Sequence, residues 1–201
     1  MIRLLLARHA HASSNERDVV SSRPPGEGLS PAGVEQALAL GRSIAGEDLA
    51  LGVSSRLERS RQTLALALGG LAVERLVLPA LDDIDFGPFD GGPLAAYREW
   101  AWSAPPEEEP RGGGESRAAA ALRAAEALDE LLARPEATVL AVGHALPVRY
   151  VLDAAHGLDP SARITPVPHA TAHELGAEQV ERAAARLRAW AASPRFVAYR
   201  G

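Results

Sequence analysis

Two residue types are missing from this chain, and each absence excludes a class of chemistry. The 201 residues include no cysteine, which excludes disulfides, Cys-ligated zinc, iron–sulfur clusters and a thiolate nucleophile. They include no lysine either, so all 21 basic residues are arginine. Schiff-base chemistry and the phosphate-binding lysine of P-loop proteins are therefore excluded.

Long apolar runs are absent as well. The run Leu4-Leu5-Leu6-Ala7 is stopped at once by Arg8, and nothing resembles a signal peptide or is long enough to span a bilayer. The net charge of −5 and the pI of about 5.7 argue against nucleic-acid binding and against attraction to anionic lipid. We expect a cytoplasmic protein without nucleic-acid or membrane partners, and its oligomeric state is left open.

Short apolar runs alternate with helical periodicity along a chain whose composition fits one folded domain over residues 1–201. The predicted strands are 2–7, 51–54, 76–78, 138–142 and 172–175, and the predicted helices are 31–46, 57–68, 118–127, 146–155 and 178–192. This alternation predicts an α/β fold, a three-layer α/β/α sandwich with a mostly parallel central sheet. Residues 103–114, rich in Pro, Glu and Gly, predict a surface excursion.

Polar side chains follow three of the predicted strands. Arg8 and His9 follow the first strand, Arg59 lies in the segment after the second, and His144 follows the strand at 138–142. Because the carboxyl ends of parallel strands meet at one edge of a sheet, these side chains are expected to lie together. Two imidazoles with two guanidinium groups suit a tetrahedral dianion, so the implied ligand is a phosphoryl group.

Six motifs, in order along the chain, resemble those of the histidine phosphatase (phosphoglycerate mutase-like) superfamily. They are Arg8-His9-Ala10 with Asn15, residues 29–37, residues 54–59 with Gln62-Thr63, residues 81–87 with Phe89-Asp90-Gly91, Gly114-Glu115-Ser116, and Val142-Gly143-His144. The resemblance runs from residue 2 to about residue 152 and implies a phosphoglycerate mutase-like fold. It also implies that the excursion at about 88–116 covers the pocket as a lid, in which Tyr97, Arg98, Trp100 and Trp102 either pack or touch substrate.

The resemblance implies a metal-independent phosphomonoester hydrolase of the histidine acid phosphatase type, with no cofactor and a small phosphorylated substrate. His9 would attack phosphorus and form a phosphohistidine. Arg8 and Arg59 would hold the phosphoryl oxygens, and His144 would stabilise the charge that develops on them. Asn15 is a further phosphate-binding candidate by resemblance, and Ser13 is one by its position.

A carboxylic acid is also needed, because the alkoxide of a monoester leaves poorly unless it is protonated. Asp83 is the candidate for this general acid. The family usually has glutamate here, and Asp83 is one methylene shorter. Asp82 and Asp85 remain alternatives, although strand-like alternation would turn both away from the face of Asp83. Ala10 stands where the family motif has glycine.

Other interpretations stay open. Within the family, the protein is either a phosphatase or a phosphoglycerate mutase-type phosphoryl transferase, and the compact chain favours the phosphatase. A catalytically weakened phosphate-binding regulatory protein is a third possibility. A metal-dependent hydrolase would use His9, His11, His144 and an aspartate. A phosphoaspartate enzyme would use Asp83 and Asp85, but such enzymes normally employ a lysine, which this chain lacks.

Overall fold

The fold is built from five strands and seven α-helices, as seen in a computed structural model that describes residue 1 and residues 3–198. Ile2, which the sequence places in the first strand, lies outside the described residues, as do residues 199–201. The strands are β1 (Arg3–Arg8), β2 (Leu51–Ser54), β3 (Glu74–Val77), β4 (Thr138–Gly143) and β5 (Ala172–Gly176). The α-helices are α1 (Ser13–Glu16), α2 (Pro31–Ser43), α3 (Glu58–Leu68), α4 (Leu94–Ala101), α5 (Arg117–Leu132), α6 (Ala145–Ala155) and α7 (Ala177–Ala192).

The strands form one sheet in the order β3-β2-β4-β1-β5. The pairs β3–β2, β2–β4 and β4–β1 are parallel, and β5 runs antiparallel to β1 at the edge. The register sets Arg8 opposite Gly143 and Ser54 opposite Val142. The carboxyl ends of β1, β2 and β4 therefore lie side by side at one edge, as the sequence predicted.

Helices cover both faces of the sheet, so the three-layer α/β/α prediction is confirmed. Successive residues of β1 point to opposite faces: Leu5 packs with Leu40 and Leu64 of α2 and α3, whereas Leu4 belongs to the core formed with α5, α6 and α7. Both faces of β1 and β4 are apolar because both are buried, which is typical of central parallel strands. Among the described residues no helix is long and apolar enough to cross a membrane.

Several element boundaries differ from the sequence prediction. Helix α2 ends at Ser43 rather than near Gly46, and β3 comprises Glu74–Val77 rather than residues 76–78. Residues 82–86 do not form a strand, so the alternation argument for the three aspartates does not apply there. The sequence also missed α1 and α4, since short helices at the surface carry little periodicity.

The predicted excursion at 88–116 contains α4 and then an irregular segment. Residues 103–114 form neither helix nor strand, and Glu107, Glu108 and Glu109 are exposed, as predicted. The excursion returns to the sheet edge beside Gly87, which has φ of +57° and whose hypothetical Cβ would lie 1.9 Å from the Gly113 carbonyl oxygen. Only glycine permits this close approach.

Candidate active site

The carboxyl edge of the sheet brings together the two histidines and two arginines that the sequence singled out. The backbone N–H of His9 donates to the Gly143 carbonyl oxygen at 2.9 Å, which continues the β1–β4 ladder by one residue. The ring centroids of His9 and His144 are 5.1 Å apart. Positions 135 residues apart in the chain therefore meet because two parallel strands end together.

Arg59 contacts three other side chains of this cluster. It lies in the first turn of α3, and only 3% of it is exposed. Its Nε donates to Nε2 of His9 at 3.1 Å, and its Nη2 lies 3.1 Å from Oδ2 of Asp83 and 3.2 Å from Nδ1 of His144. Its Nη1 is buried without a hydrogen-bond partner among the described residues. Nη1 lies on the side of Gly26, whose hypothetical Cβ would be 3.5 Å away, whereas Nε and Nη2 face the cluster.

The hydrogen bonds of His9 fix the tautomer of its ring. A guanidinium group can only donate, so Nε2 of His9 accepts from Arg59 and Nδ1 carries the proton. Nδ1 then donates to the Ala10 carbonyl oxygen at 2.7 Å. Burial, together with the charges of Arg59, His144 and Arg8, holds the pKa of His9 well below its usual range. Nε2 is therefore unprotonated at neutral pH, and its lone pair accepts the hydrogen bond from Arg59.

Hydrogen bonds also fix the ring of His144, which follows the end of β4. It is fully buried at the N-terminus of α6, and its Nε2 lies 2.8 Å from Oγ of Ser55. Because Nδ1 faces the donating Nη2 of Arg59, the proton of the neutral ring lies on Nε2. Burial, followed by the charge of Arg59, holds the pKa of His144 well below its usual range.

Asp83 is the aspartate that reaches the cluster. Its Oδ2 is 3.7 Å from Nδ1 of His144 as well as close to Arg59. Burial raises the pKa of the Asp83 carboxyl, with Arg59 opposing the shift. Asp82 instead accepts from Nε of Arg56 at 2.7 Å, and Asp85 accepts from the Gly87 N–H at 2.9 Å. Both alternatives are turned away, as the sequence analysis expected for another reason.

Of the other predicted phosphate-binding residues, Arg8 and Asn15 line the cavity and Ser13 does not. Arg8 lines the cavity and donates from one terminal nitrogen to the Val167 carbonyl oxygen at 2.9 Å. Burial lowers the pKa of Arg8 to about 10, which leaves it charged at neutral pH. Asn15 also lines the cavity. Ser13 is not among the lining residues; its neighbour Ser14 takes that place.

The cavity beside this cluster has a volume of about 480 Å³. Its wall combines the charged residues above with apolar side chains from several parts of the chain: Val20, Ile84 and Phe86, Leu94 of the excursion, Leu146 of α6, and Ile164 and Val167 after α6. The cavity is therefore much larger than a phosphate group requires. Tyr97, Arg98 and Trp102 of the excursion line it, whereas Trp100 packs against Phe89 and Tyr97.

Two further cavity residues and one neighbour of His9 were not predicted from the sequence as site residues. Arg117 and Arg163 line the cavity. Nδ1 of His169 lies 2.8 Å from the His9 carbonyl oxygen, and its ring meets that of His9 edge to face at 5.5 Å. Arg117 directly follows the Gly114-Glu115-Ser116 motif, and this position could have identified it as a site residue. No sequence pattern marks Arg163 or His169.

His9 and His11 are not arranged to bind one metal ion together. Nδ1 of His11 bonds with Oγ of Ser30 at 2.9 Å, and His11 is not among the residues that line the cavity. Among the described residues, no group of three or more His, Asp or Glu side chains is arranged to hold a metal ion. The cluster instead combines two guanidinium groups with two imidazoles whose pKa values are lowered.

The fold and this site define a class of protein: a three-layer α/β fold with two histidines and two arginines clustered at the carboxyl edge of its sheet. The family model of the histidine phosphatase superfamily (branch 1) matches residues 4–193. The chain belongs to this superfamily. The sequence had carried the resemblance only to about residue 152, and the match extends it across β5 and α7.

Solved structures of similar fold include YhfR and two proteins named as phosphatases. The Bacillus stearothermophilus protein YhfR is 23% identical with a TM-score of 0.76, covering 86% of this chain and 89% of that one. An α-ribazole phosphatase from Shigella flexneri is 22% identical with a TM-score of 0.72, covering 86% and 89%. A mycobacterial glucosyl-3-phosphoglycerate phosphatase in complex with VO3 is 25% identical with a TM-score of 0.70, covering 88% and 91%. No curated protein sequence matches this chain.

Proposed function

We propose that this protein is a phosphomonoester hydrolase that acts through a phosphohistidine on His9 and needs no metal ion. The observation that carries the proposal is the arrangement around Arg59, whose Nε donates to the unprotonated Nε2 of His9 while its Nη2 lies 3.1 Å from Asp83 and 3.2 Å from His144. A phosphoryl group bound at this cluster accepts hydrogen bonds from the guanidinium group and lies next to the nucleophile. The positive charge that a metal would supply comes from Arg8 and Arg59.

In the first step, Nε2 of His9 attacks phosphorus in line with the ester oxygen. The P–N bond forms, the P–O bond to the leaving alcohol breaks, and Asp83 gives its proton to that oxygen. Arg8 and Arg59 hold the equatorial oxygens, and His144 stabilises the charge on them as it develops. Burial favours the protonated Asp83 that this step consumes, because it raises the pKa of the carboxyl.

In the second step, water attacks phosphorus from the side that the alcohol has left. Asp83, now ionised, takes a proton from the water, and the P–N bond breaks to return neutral His9. Inorganic phosphate is released, and Asp83 is again protonated. Phosphatase rather than mutase chemistry needs only that water reaches the phosphoenzyme.

The test is a panel of phosphomonoesters, with and without EDTA, together with an acid-labile phosphoenzyme trap using a labelled substrate. We expect turnover that survives chelation, and a trapped phosphoryl group that is acid-labile. His9→Ala should abolish the trap and lower kcat by at least about a thousandfold. His11→Ala removes a nearby histidine that does not line the cavity and serves as the matched control.

Each alternative gives a different pattern. Loss of activity in EDTA would favour the metal-dependent hydrolase. Binding of vanadate without hydrolysis of any ester would favour the regulatory phosphate-binding protein. Transfer of the trapped phosphoryl group to an added alcohol in preference to water would favour the mutase type.

A further inference from the structure

Arg117 is a buried cation on the cavity wall. It begins α5, only 5% of it is exposed, and its guanidinium group lies 5.5 Å from the ring centroids of both Tyr150 and Phe196. Its Nε donates to the Tyr150 hydroxyl at 2.8 Å, and its Nη2 donates to the Ala162 carbonyl oxygen at 3.0 Å. Within residues 3–198, no carboxylate forms an ion pair with it. Burial of an unbalanced charge is costly, so this position calls for an anion.

Tyr97 presents a second unsatisfied group on the same cavity wall. Only 5% of Tyr97 is exposed, and its buried hydroxyl lies beside the Arg117 guanidinium group with no acceptor for its proton among the described residues. Burial raises the pKa of Tyr97 to about 12, while the charge of Arg117 opposes that shift. The hydroxyl is therefore a neutral donor at physiological pH, and it lies within the field of the guanidinium group.

The charged residues of the whole cavity also favour a second anionic group on the ligand. Five arginines and one carboxylate line it: Arg8, Arg59, Arg98, Arg117, Arg163 and Asp83. Of the arginines, only Arg59 forms an ion pair among the described residues. A phosphoryl group brings at most about two negative charges, so it leaves part of this positive charge unbalanced. That excess occurs in a chain whose net charge is −5.

We propose that Arg117 and Tyr97 form a second subsite that binds a carboxylate on the leaving group of the substrate. This inference rests on the proposed function. The guanidinium group and the phenol would each donate to the carboxylate oxygens, as Arg59 and Arg8 do to the phosphoryl group. Apolar side chains such as Ile84, Phe86 and Leu94 line the same cavity. The substrate class is therefore a phosphomonoester with an apolar or planar body and a second acidic end.

The size of the cavity agrees with a substrate of this kind. Its volume of about 480 Å³ is roughly three times that of the ~150 Å³ cavity that holds one benzene molecule in an apolar protein core. A phosphoryl group, a ring and a carboxylate fit within it. Arg163, stacked 4.5 Å from the ring centroid of Trp102, lies on the wall where the lid meets the segment after α6.

The experiment compares kcat/KM for 4-carboxyphenyl phosphate and 4-carbamoylphenyl phosphate, which share a shape and differ in charge. We expect wild-type protein to prefer the carboxylate ester by about tenfold or more, as charge-assisted hydrogen bonds predict. Arg117→Gln should reduce this ratio to less than about threefold, and Tyr97→Phe should reduce it by a few-fold. Arg188→Gln, which removes an exposed arginine of α7 outside the cavity, should leave the ratio unchanged.

A ratio that is the same in wild type, Arg117→Gln and Tyr97→Phe would overturn the subsite while leaving the proposed function intact. A wild-type preference for the neutral ester would do the same. Should Arg117→Gln fail to fold, Tyr97→Phe decides the question, because it keeps the ring and removes only a hydroxyl whose proton has no acceptor among the described residues. If no ester is hydrolysed, the proposed function fails, and calorimetric binding of the two matching phosphonates tests the subsite separately.

Discussion

The Nε–H of Arg59 points at Nε2 of His9 across 3.1 Å. This one contact sets the tautomer of the histidine, because it leaves Nδ1 to donate to the Ala10 carbonyl oxygen. It also places the guanidinium group beside the atom that would be phosphorylated. Arg59 therefore has two tasks, to orient the nucleophile and to hold the phosphoryl oxygens, and its planar fork suits both.

Arg59→Lys is expected to lower kcat/KM by about 10²–10³-fold, although the charge is kept. A lysine ammonium cannot reach His9, Asp83 and His144 from one planar group, as Arg59 does. The measurement is steady-state hydrolysis of p-nitrophenyl phosphate. Arg61→Lys, at an exposed position of the same helix, is the matched control. Comparable rates for wild type and Arg59→Lys would remove Arg59 from the site.

Asp83→Asn should affect substrates according to their leaving groups. With an alkyl phosphate the loss in kcat is expected to be about 10²–10⁴-fold, and with p-nitrophenyl phosphate less than about tenfold, because nitrophenolate needs little protonation. Asp85→Asn, which changes a carboxylate turned away from the cluster, should not show this difference. Equal losses on both substrates in Asp83→Asn would indicate a structural role for Asp83.

Arg123 is expected to position Asp83 without touching substrate. Its guanidinium group donates to the carbonyl oxygens of Ala80, Asp82 and Asp83 at 3.0, 2.8 and 3.2 Å and pairs with Glu115 at 2.6 Å. Arg123→Met should cost about 2–4 kcal/mol of unfolding free energy.

The same variant should lower kcat more for the alkyl ester than for p-nitrophenyl phosphate, with KM little changed. Urea denaturation and the leaving-group series measure the two effects separately. A loss of stability with equal kinetic losses on both esters would show that Arg123 supports the fold and not the acid.

Acid should weaken the folded state through His169. Burial, with the charge of Arg8, lowers the pKa of His169 from 6.5 to about 4. As the pH falls below 6.5, the unfolded chain takes up a proton that the folded state refuses, so the free energy of unfolding decreases until about pH 4. One such group contributes at most about 1.4 kcal/mol per pH unit.

His169→Gln is therefore expected to show a shallower decrease between pH 6.5 and pH 4 than wild type. His9 and His144, whose pKa values are also lowered, keep part of the slope in the variant. Urea denaturation across this range is the measurement. Parallel curves for the two proteins would contradict the contribution of His169.

Parts of this protein follow from the sequence alone. The apolar runs of β1 and β4 and the period of α2, α3 and α6 are local patterns, and local patterns determine the α/β class. The rule that parallel strands end at one edge then brought Arg8, His9, Arg59 and His144 together without coordinates. The six motifs selected the family, and the match over residues 4–193 confirmed it.

Other features were decided only by the tertiary structure. Which of Asp82, Asp83 and Asp85 reaches the cluster depends on an irregular segment held by Arg56 and Arg123, far away in sequence. The second set of charges, Arg98, Arg117 and Arg163, comes from α4, the start of α5 and the segment after α6, and no local period links them. A sequence pattern records which neighbours share a face, whereas a cavity is made of residues that meet only when the chain is packed.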